Sequence, residues 1–366
     1  MGDPRVDRHA KLLVRYSTRI KKGERVIVKA SAASAPLILA LQREILDVGA
    51  FPVLRISVPG QSYNYYSHAK QHHLEDLSPI SRYEVRKCQV NISIYDDTNT
   101  HELSSIDPEK IAVRRKTYQP LSDYILRNIR WCGTLFPTDA FAQDADMSLR
   151  EYEDFVYKAM FCDKKDPIKE WKKISAYQEK LAKRLNKAKT VQIIGRETDL
   201  TMDVEGRTFV NSDGRYNMPS GEVFTAPHIR SVEGHILYDD FPTIYGGKEV
   251  QGVYLEFKRG KVVKATAEKN EDYLLKMLDI DKGARYLGEL GIGTNFGIQR
   301  FTKNILFDEK IGGTIHLALG RAYEECGGKN KSALHWDMIK DLRKHGELLV
   351  DGKKMKRKNG RLYVSD

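Results

Sequence analysis

Between Gly312 and Asp337 the stretch GGTIHLALGRAYEECGGKNKSALHWD brings His316, Tyr323, His335 and Asp337 into one short segment. Two imidazoles and a carboxylate are ordinary ligands of a divalent ion, and a phenol oxygen can join them. Together they suit Zn²⁺, Co²⁺ or Mn²⁺. TIHLALG alternates as a buried strand does, with Thr314, His316 and Ala318 on one side and Ile315, Leu317 and Leu319 on the other. His335 and Asp337 are two residues apart, so an extended backbone sends both side chains from one face. Taken singly, each has a plainer reading: a histidine on an apolar strand is usually a satisfied core residue, and HWD alone could be a turn. The combination points to a metal centre.

Two upstream carboxylates strengthen it. Glu222 lies between NMPSG and VFTAP, where Pro219 and Gly221 fix a turn entering a strand. Glu289 lies in ARYLGELGIGTN, flanked by Gly288, Gly291 and Gly293. A buried glutamate among apolar and glycine neighbours needs a cation or hydrogen-bond donors to offset its desolvation. A structural salt bridge would also satisfy that need. GIGTNFG imitates a dinucleotide loop, but its last glycine comes one residue too late.

The elements that must position these residues fall into two regions, divided in this reading at residues 188/189. Residues 1–188 predict an N-terminal doubly wound α/β domain with a parallel sheet. A helix spans Arg5–Ile20, a strand follows in ERVIVKA, APLILALQREILDVGA forms an amphipathic helix, and FPVLRISV and Val90–Tyr95 are strands. SAASA, after the first strand, is a poor phosphate cradle. SLREYEDF begins with a capping box, Ser148 with Glu151. Ile168–Asn186 forms a long amphipathic helix whose inner face carries Trp171, Ile174, Gln178, Leu181 and Leu185. Residues 189–366 predict a β-rich C-terminal domain of short strands with glycine turns, closing in a D-G hairpin.

Composition narrows the class. The chain has 366 residues, 41% hydrophobic and 30% charged, with a formal net charge of +11. A nucleic-acid role is a possible reading of that charge. However, 61 basic residues interleave with 50 acidic ones, and the clearest basic run, Lys353–Lys358, falls in the predicted hairpin. Cys88, Cys132, Cys162 and Cys326 form no C-x-x-C and read as reduced thiols. MGDPRVDRHAKLL lacks the apolar core of a signal peptide, and no apolar run has the ~18 residues of a membrane helix. The expectation is a cytoplasmic protein without membrane or nucleic-acid partners.

NMPSGEVFTAP, GARYLGELGIGTN, DEKIGGTIHLALGRAYEECGGKNKSALHWDMIKDLR and the closing DG hairpin resemble the M29 family of metallo-aminopeptidases. WCGTLFPTDAFAQDADMSLREYEDF extends the resemblance into the N-terminal half, and HEXXH is absent. The resemblance implies a two-metal site formed by Glu222, Glu289, His316, Tyr323, His335 and Asp337. It also implies peptide substrates with a free N-terminus and a homodimer. On this reading a water between the ions loses a proton and attacks the carbonyl. Glu289 shuttles the proton to the leaving amine, and Tyr323 ligates or steadies the oxyanion. His228 and His235 read as supporting or surface residues. The rival enzyme is a mononuclear iron ring-cleaving dioxygenase, because some proteins resembling this family act on pyridine diols with a His/His/Asp set. The presence of both glutamates favours two ions.

Overall fold

A computed structural model describes residues 2–358 and 360–363 of the chain. It divides into two compact units, residues 1–169 with 214–219, and residues 170–213 with 220–366. Most of the long helix Pro167–Leu185 thus belongs to the second unit, and a short segment, 214–219, returns to the first.

The first unit is built on a parallel sheet. Its strands run in the order Phe51–Ser57, Arg25–Ser31, Val90–Tyr95, Arg130–Leu135 and Asn217–Met218. The hydrophobic run RVIVKAS is buried at Val26, Ile27 and Val28, as a central parallel strand requires. The helix expected over Arg5–Ile20 is α-helical only over Pro4–Leu12 and widens to a π-turn over Leu13–Ser17. The capping box at Ser148 and Glu151 forms as expected. SAASA makes a 3₁₀ turn whose donors are already used: Ser31 N–H and Ser34 Oγ–H both donate to Asp96. A carboxylate therefore sits where a phosphate-binding turn would present free donors.

The second unit is antiparallel. One sheet has seven strands, in the order Lys261–Thr266, Val253–Lys258, Glu233–Tyr238, Thr198–Asp203, Thr190–Gly195, Glu347–Val350 and Lys353–Lys354. The other has five: His335–Asp341, Thr314–Gly320, Leu287–Gly293, Glu222–Thr225 and Val210–Ser212. One apolar cluster draws on both sheets, with Leu200, Ile236 and Leu255 from the first and Leu290, Ile315, Leu317 and Trp336 from the second. The predicted inner face of the long helix is buried at all five positions. The D-G hairpin forms at Asp351 and Gly352, both with positive φ, and a second hairpin follows at Lys356–Lys358 and Arg361–Tyr363. The basic run is exposed on these hairpins except at Met355. The four cysteines are buried and free. Among the described residues no helix is long and apolar enough to cross a membrane.

His9 is fully buried in the first unit, with Nε2 2.8 Å from Thr134 Oγ1. Thr134 donates its own proton to Met218 O at 2.7 Å, so the imidazole must donate from Nε2. Nδ1 has no partner among the described residues. Burial holds the imidazole neutral, with its pKa pushed down to about 3. The folded pKa lies below the unfolded one of about 6.5, so this contribution to stability is complete above the latter and lost as pH falls toward the former. Acid unfolding followed by circular dichroism should show roughly 1.4 kcal/mol of loss per pH unit from this group, a slope that His9→Gln removes.

Candidate metal centre

The five-stranded sheet sorts its residues by period two. Ile315, Leu317 and Leu319 join the apolar cluster, as do Trp336, Met338, Leu290, Ile292 and Val223. The alternate positions carry the candidate ligands and the glycines, with Phe224, Ala318 and Ile339 among them. Register places Gly293 opposite Glu222, Gly291 opposite His316, Glu289 opposite Ala318, and Ala318 opposite Asp337. Glu222, Glu289, His316, His335 and Asp337 therefore leave one face of four neighbouring strands. Small residues clear the room between them: a Cβ on Gly291 would lie 2.0 Å from the His316 ring.

The ligand atoms converge. His316 Nε2 lies 3.2 Å from Glu222 Oε2 and 3.3 Å from Glu289 Oε1. His335 Nε2 lies 3.7 Å from Glu289 Oε2 and 3.5 Å from Asp337 Oδ2. Glu289 thus turns one oxygen toward each imidazole. Glu222 Oε2 and Glu289 Oε2 are buried and accept no hydrogen bond among the described residues. Buried carboxylate oxygens without donors are the unmet demand that a cation satisfies. His335 Nδ1 donates to Arg321 O at 2.9 Å, which leaves the Nε2 lone pair facing the carboxylates, as a metal-binding histidine requires.

The backbone at Glu222 and at Asp337 is held from behind. The turn at Gly221, with φ +115°, packs so closely on Asn295 that a Cβ would lie 2.6 Å from that side chain. Asn295 Nδ2 donates to Ser220 O at 2.9 Å, and Gln178 Nε2 donates to Glu222 O. Thr243 Oγ1 donates to Asp337 O at 3.0 Å.

Two residues escaped the sequence reading. Glu309 offers an oxygen within 4.8 Å of ligand atoms of His316 and Asp337, and the same spacing unites Glu222, Glu289 and His316. Lys310 is fully buried, with Nζ 3.4 Å from Glu222 Oε1, and it also pairs with Glu309. The available signal was the charged triplet DEK, set directly against the IGG turn and the apolar strand.

Tyr323 stands at the margin. It is 42% exposed, its ring centroid is 5.3 Å from that of His335, and its other flank meets Phe224 at 5.7 Å. Desolvation, then the charges of Glu289, Asp337 and Glu222, raise its phenol above the ordinary range. His228 lies elsewhere, bonding Glu205 O and Arg207, and His235 packs on Tyr254.

The charged groups of the nest act strongly on one another. Burial alone would raise the Glu222 carboxyl, but Lys310 and then His316 pull it down to about 2. Burial, with the Asp337 charge adding to it, raises Glu289 against the pull of the two imidazoles. Burial would lower His316, yet Glu222 and Glu289 raise it to about 10, and Asp337 and Glu289 raise His335. Without metal, His316 keeps a proton at neutral pH that a metal ion must displace.

Three carboxylates and two imidazoles on one face, with Glu309 beside them, are the donor chemistry of a divalent-metal enzyme centre. A family model described as thermophilic metalloprotease (M29) matches residues 3–361, and the chain belongs to that family. Relatives include aminopeptidase 2 of Geobacillus stearothermophilus, 29% identical over 380 residues that span 94% of this chain and 91% of the relative. Aminopeptidase T of Thermus thermophilus is 28% identical over 356 residues, 87% of this chain and 85% of the relative. The solved structure of wild-type AmpT from Thermus thermophilus matches with a TM-score of 0.85 at 24% identity, covering 98% of this chain and 99% of that one. That of 2,5-dihydroxypyridine dioxygenase from Pseudomonas putida KT2440 matches with a TM-score of 0.60 at 14% identity, covering 100% and 99%. These two structural likenesses are likenesses of fold.

Gly291→Ala should displace the His316 ring, so plasma emission should find a folded protein with depleted metal. Metal uptake at pH 7 should release about one proton per chain, read by titration calorimetry in buffers of different ionisation heat. Because Glu222 and Glu289 raise His316 to about 10, affinity should climb as pH rises toward that value.

Proposed function

We propose that this chain is an aminopeptidase that removes the N-terminal residue of peptides, using two divalent ions (Zn, Co or Mn). The observation that carries the reading is Glu289, whose two oxygens face two different imidazoles, each beside a further carboxylate. Glu222, Glu289 and His316 would hold one ion. Glu289, His335 and Asp337 would hold the other, with Tyr323 beside them. The bound ions would acidify a water and polarise the scissile carbonyl.

The remaining work falls to the chain's own groups. Glu289, the proton shuttle in the sequence reading, has both oxygens turned toward ligand positions. Glu309 is half-buried and within reach of the same cluster, and it is the better-placed carboxylate to carry a proton to the leaving amine. Tyr323 would donate its raised-pKa phenol proton to the developing oxyanion. Beside Asp337 lies a cavity of about 220 Å³, walled by Ile244, Phe301, Ile305 and Ile339, with Lys303 and Asp308 also in its lining. It has room for the first side chain of an apolar-leading peptide. Retained carboxylates on both sides of Glu289 favour this reading over the single-iron dioxygenase reading.

The test uses leucyl and N-acetyl-leucyl peptides with Zn, Co and Mn. The expected result is two metal ions per chain, cleavage only of the free amine, and no iron-dependent oxygen uptake. Alanine at Glu222, His316 or Asp337 should abolish turnover and lower metal content. Glu309→Gln and Tyr323→Phe should lose roughly 10²-fold or more in kcat while keeping their metal. Wild-type turnover in the three alanine variants would end the assignment.

A further inference from the structure

Lys310 carries a role that the peptide reaction does not explain. Its side chain is fully buried, and its ammonium pairs with Glu222, one of the carboxylates that would hold an ion, and with Glu309, the carboxylate beside them. These two carboxylates account for the ion pairs it makes among the described residues. The contact is built in rather than incidental. Asn295 N–H donates to Lys310 O at 3.1 Å, while the Asn295 side chain holds Ser220 O of the Glu222 turn. One residue thus fixes both partners of the ion pair.

The pairing divides the two oxygens of Glu222. Oε1 faces Lys310, and Oε2 faces His316 with no hydrogen bond of its own. We propose that Lys310 is a resident cation of the centre. It holds Glu222 as a ligand through one oxygen, keeps the carboxylate nest folded when the ions leave, and weakens their binding by its own charge. Glu222, Glu289, Glu309 and Asp337 are the four carboxyl groups gathered there. Lys310 is paired with two of them as part of the chain, whereas divalent ions come and go. An ammonium against a ligand carboxylate repels an arriving cation, and it also stops Glu222 from chelating through both oxygens. The metal affinity is thereby set below what the donor count alone would give, and the site becomes readily exchangeable.

The inference rests on the metal-holding reading of the nest and not on the peptide reaction. The test compares wild type with Lys310→Met, Lys310→Gln and Lys310→Arg, each measured with chelator and with saturating Co²⁺ or Zn²⁺. In the two neutral variants, Tm should fall in chelator and recover with metal, so the metal-induced rise in Tm exceeds that of wild type. Calorimetric metal affinity should tighten roughly tenfold or more in them, whereas Lys310→Arg should stay near wild type. A neutral variant that folds only with metal supports the proposal in its strongest form. Equal losses of Tm with and without metal, or unchanged or weaker metal binding in both neutral variants, would overturn it and leave Lys310 a packing residue. If wild type itself bound no divalent ion, the metal reading would fail first, and the two failures are thereby distinguishable.

Discussion

The second unit is arranged around carboxylates buried with too few partners. Glu222, Glu289 and Asp337 share one face of the five-stranded sheet with two imidazoles, and Glu309 and Lys310 close on them from the turn that precedes strand Thr314–Gly320. Such a concentration of negative charge is tolerable in a low-dielectric interior only if cations complete it, and until they do a proton on His316 takes their place. The opposite face is largely apolar, with Lys340 and Thr225 the polar residues among its buried positions, and its apolar side chains share one cluster with the seven-stranded sheet. One sheet therefore meets two demands, with hydrophobic burial through Ile315, Leu317 and Trp336 anchoring the strands whose other side holds the charges.

The precision of the nest comes from the backbone around it. Gly291 yields its side-chain space to the His316 ring, and Ala318 spans the row between Glu289 and Asp337 with a single methyl. Gln178 reaches from the long helix to the carbonyl of Glu222, and Thr243 reaches that of Asp337. None of these groups need touch a substrate. They fix the angles at which the carboxylates emerge, and such second-layer contacts govern how tightly and in what geometry a metal is held.

Fold and chemistry separate in this architecture. The same overall arrangement is found in an aminopeptidase T structure and in a pyridine-diol dioxygenase, so the path of the chain does not choose the reaction. The choice lies in the donor set. A carboxylate with one oxygen toward each of two imidazoles suits a shared bridge between two ions. The first unit shows the same separation. It has the sheet of a doubly wound domain, yet Asp96 occupies the amide and hydroxyl donors at the turn after its first strand.

The sequence by itself determined the periodicities and the donor types. TIHLALG declared two faces, HWD placed His335 and Asp337 on one of them, and glycine-flanked Glu222 and Glu289 announced carboxylates that must be compensated. The capping box at Ser148, the D-G hairpin and the inner face of the long helix were equally local, and local physics suffices for them. Register was decided only by the tertiary structure, because pairing between strands dozens of residues apart leaves no local trace. That pairing brought Glu289 opposite Ala318 and gave it a neighbour on each side. It also buried Lys310 and drew Glu309 into the cluster. In the sequence, DEK looks like any charged turn, because burial belongs to the packed chain and not to the residue. The return of residues 214–219 to the first unit was likewise settled by long-range packing.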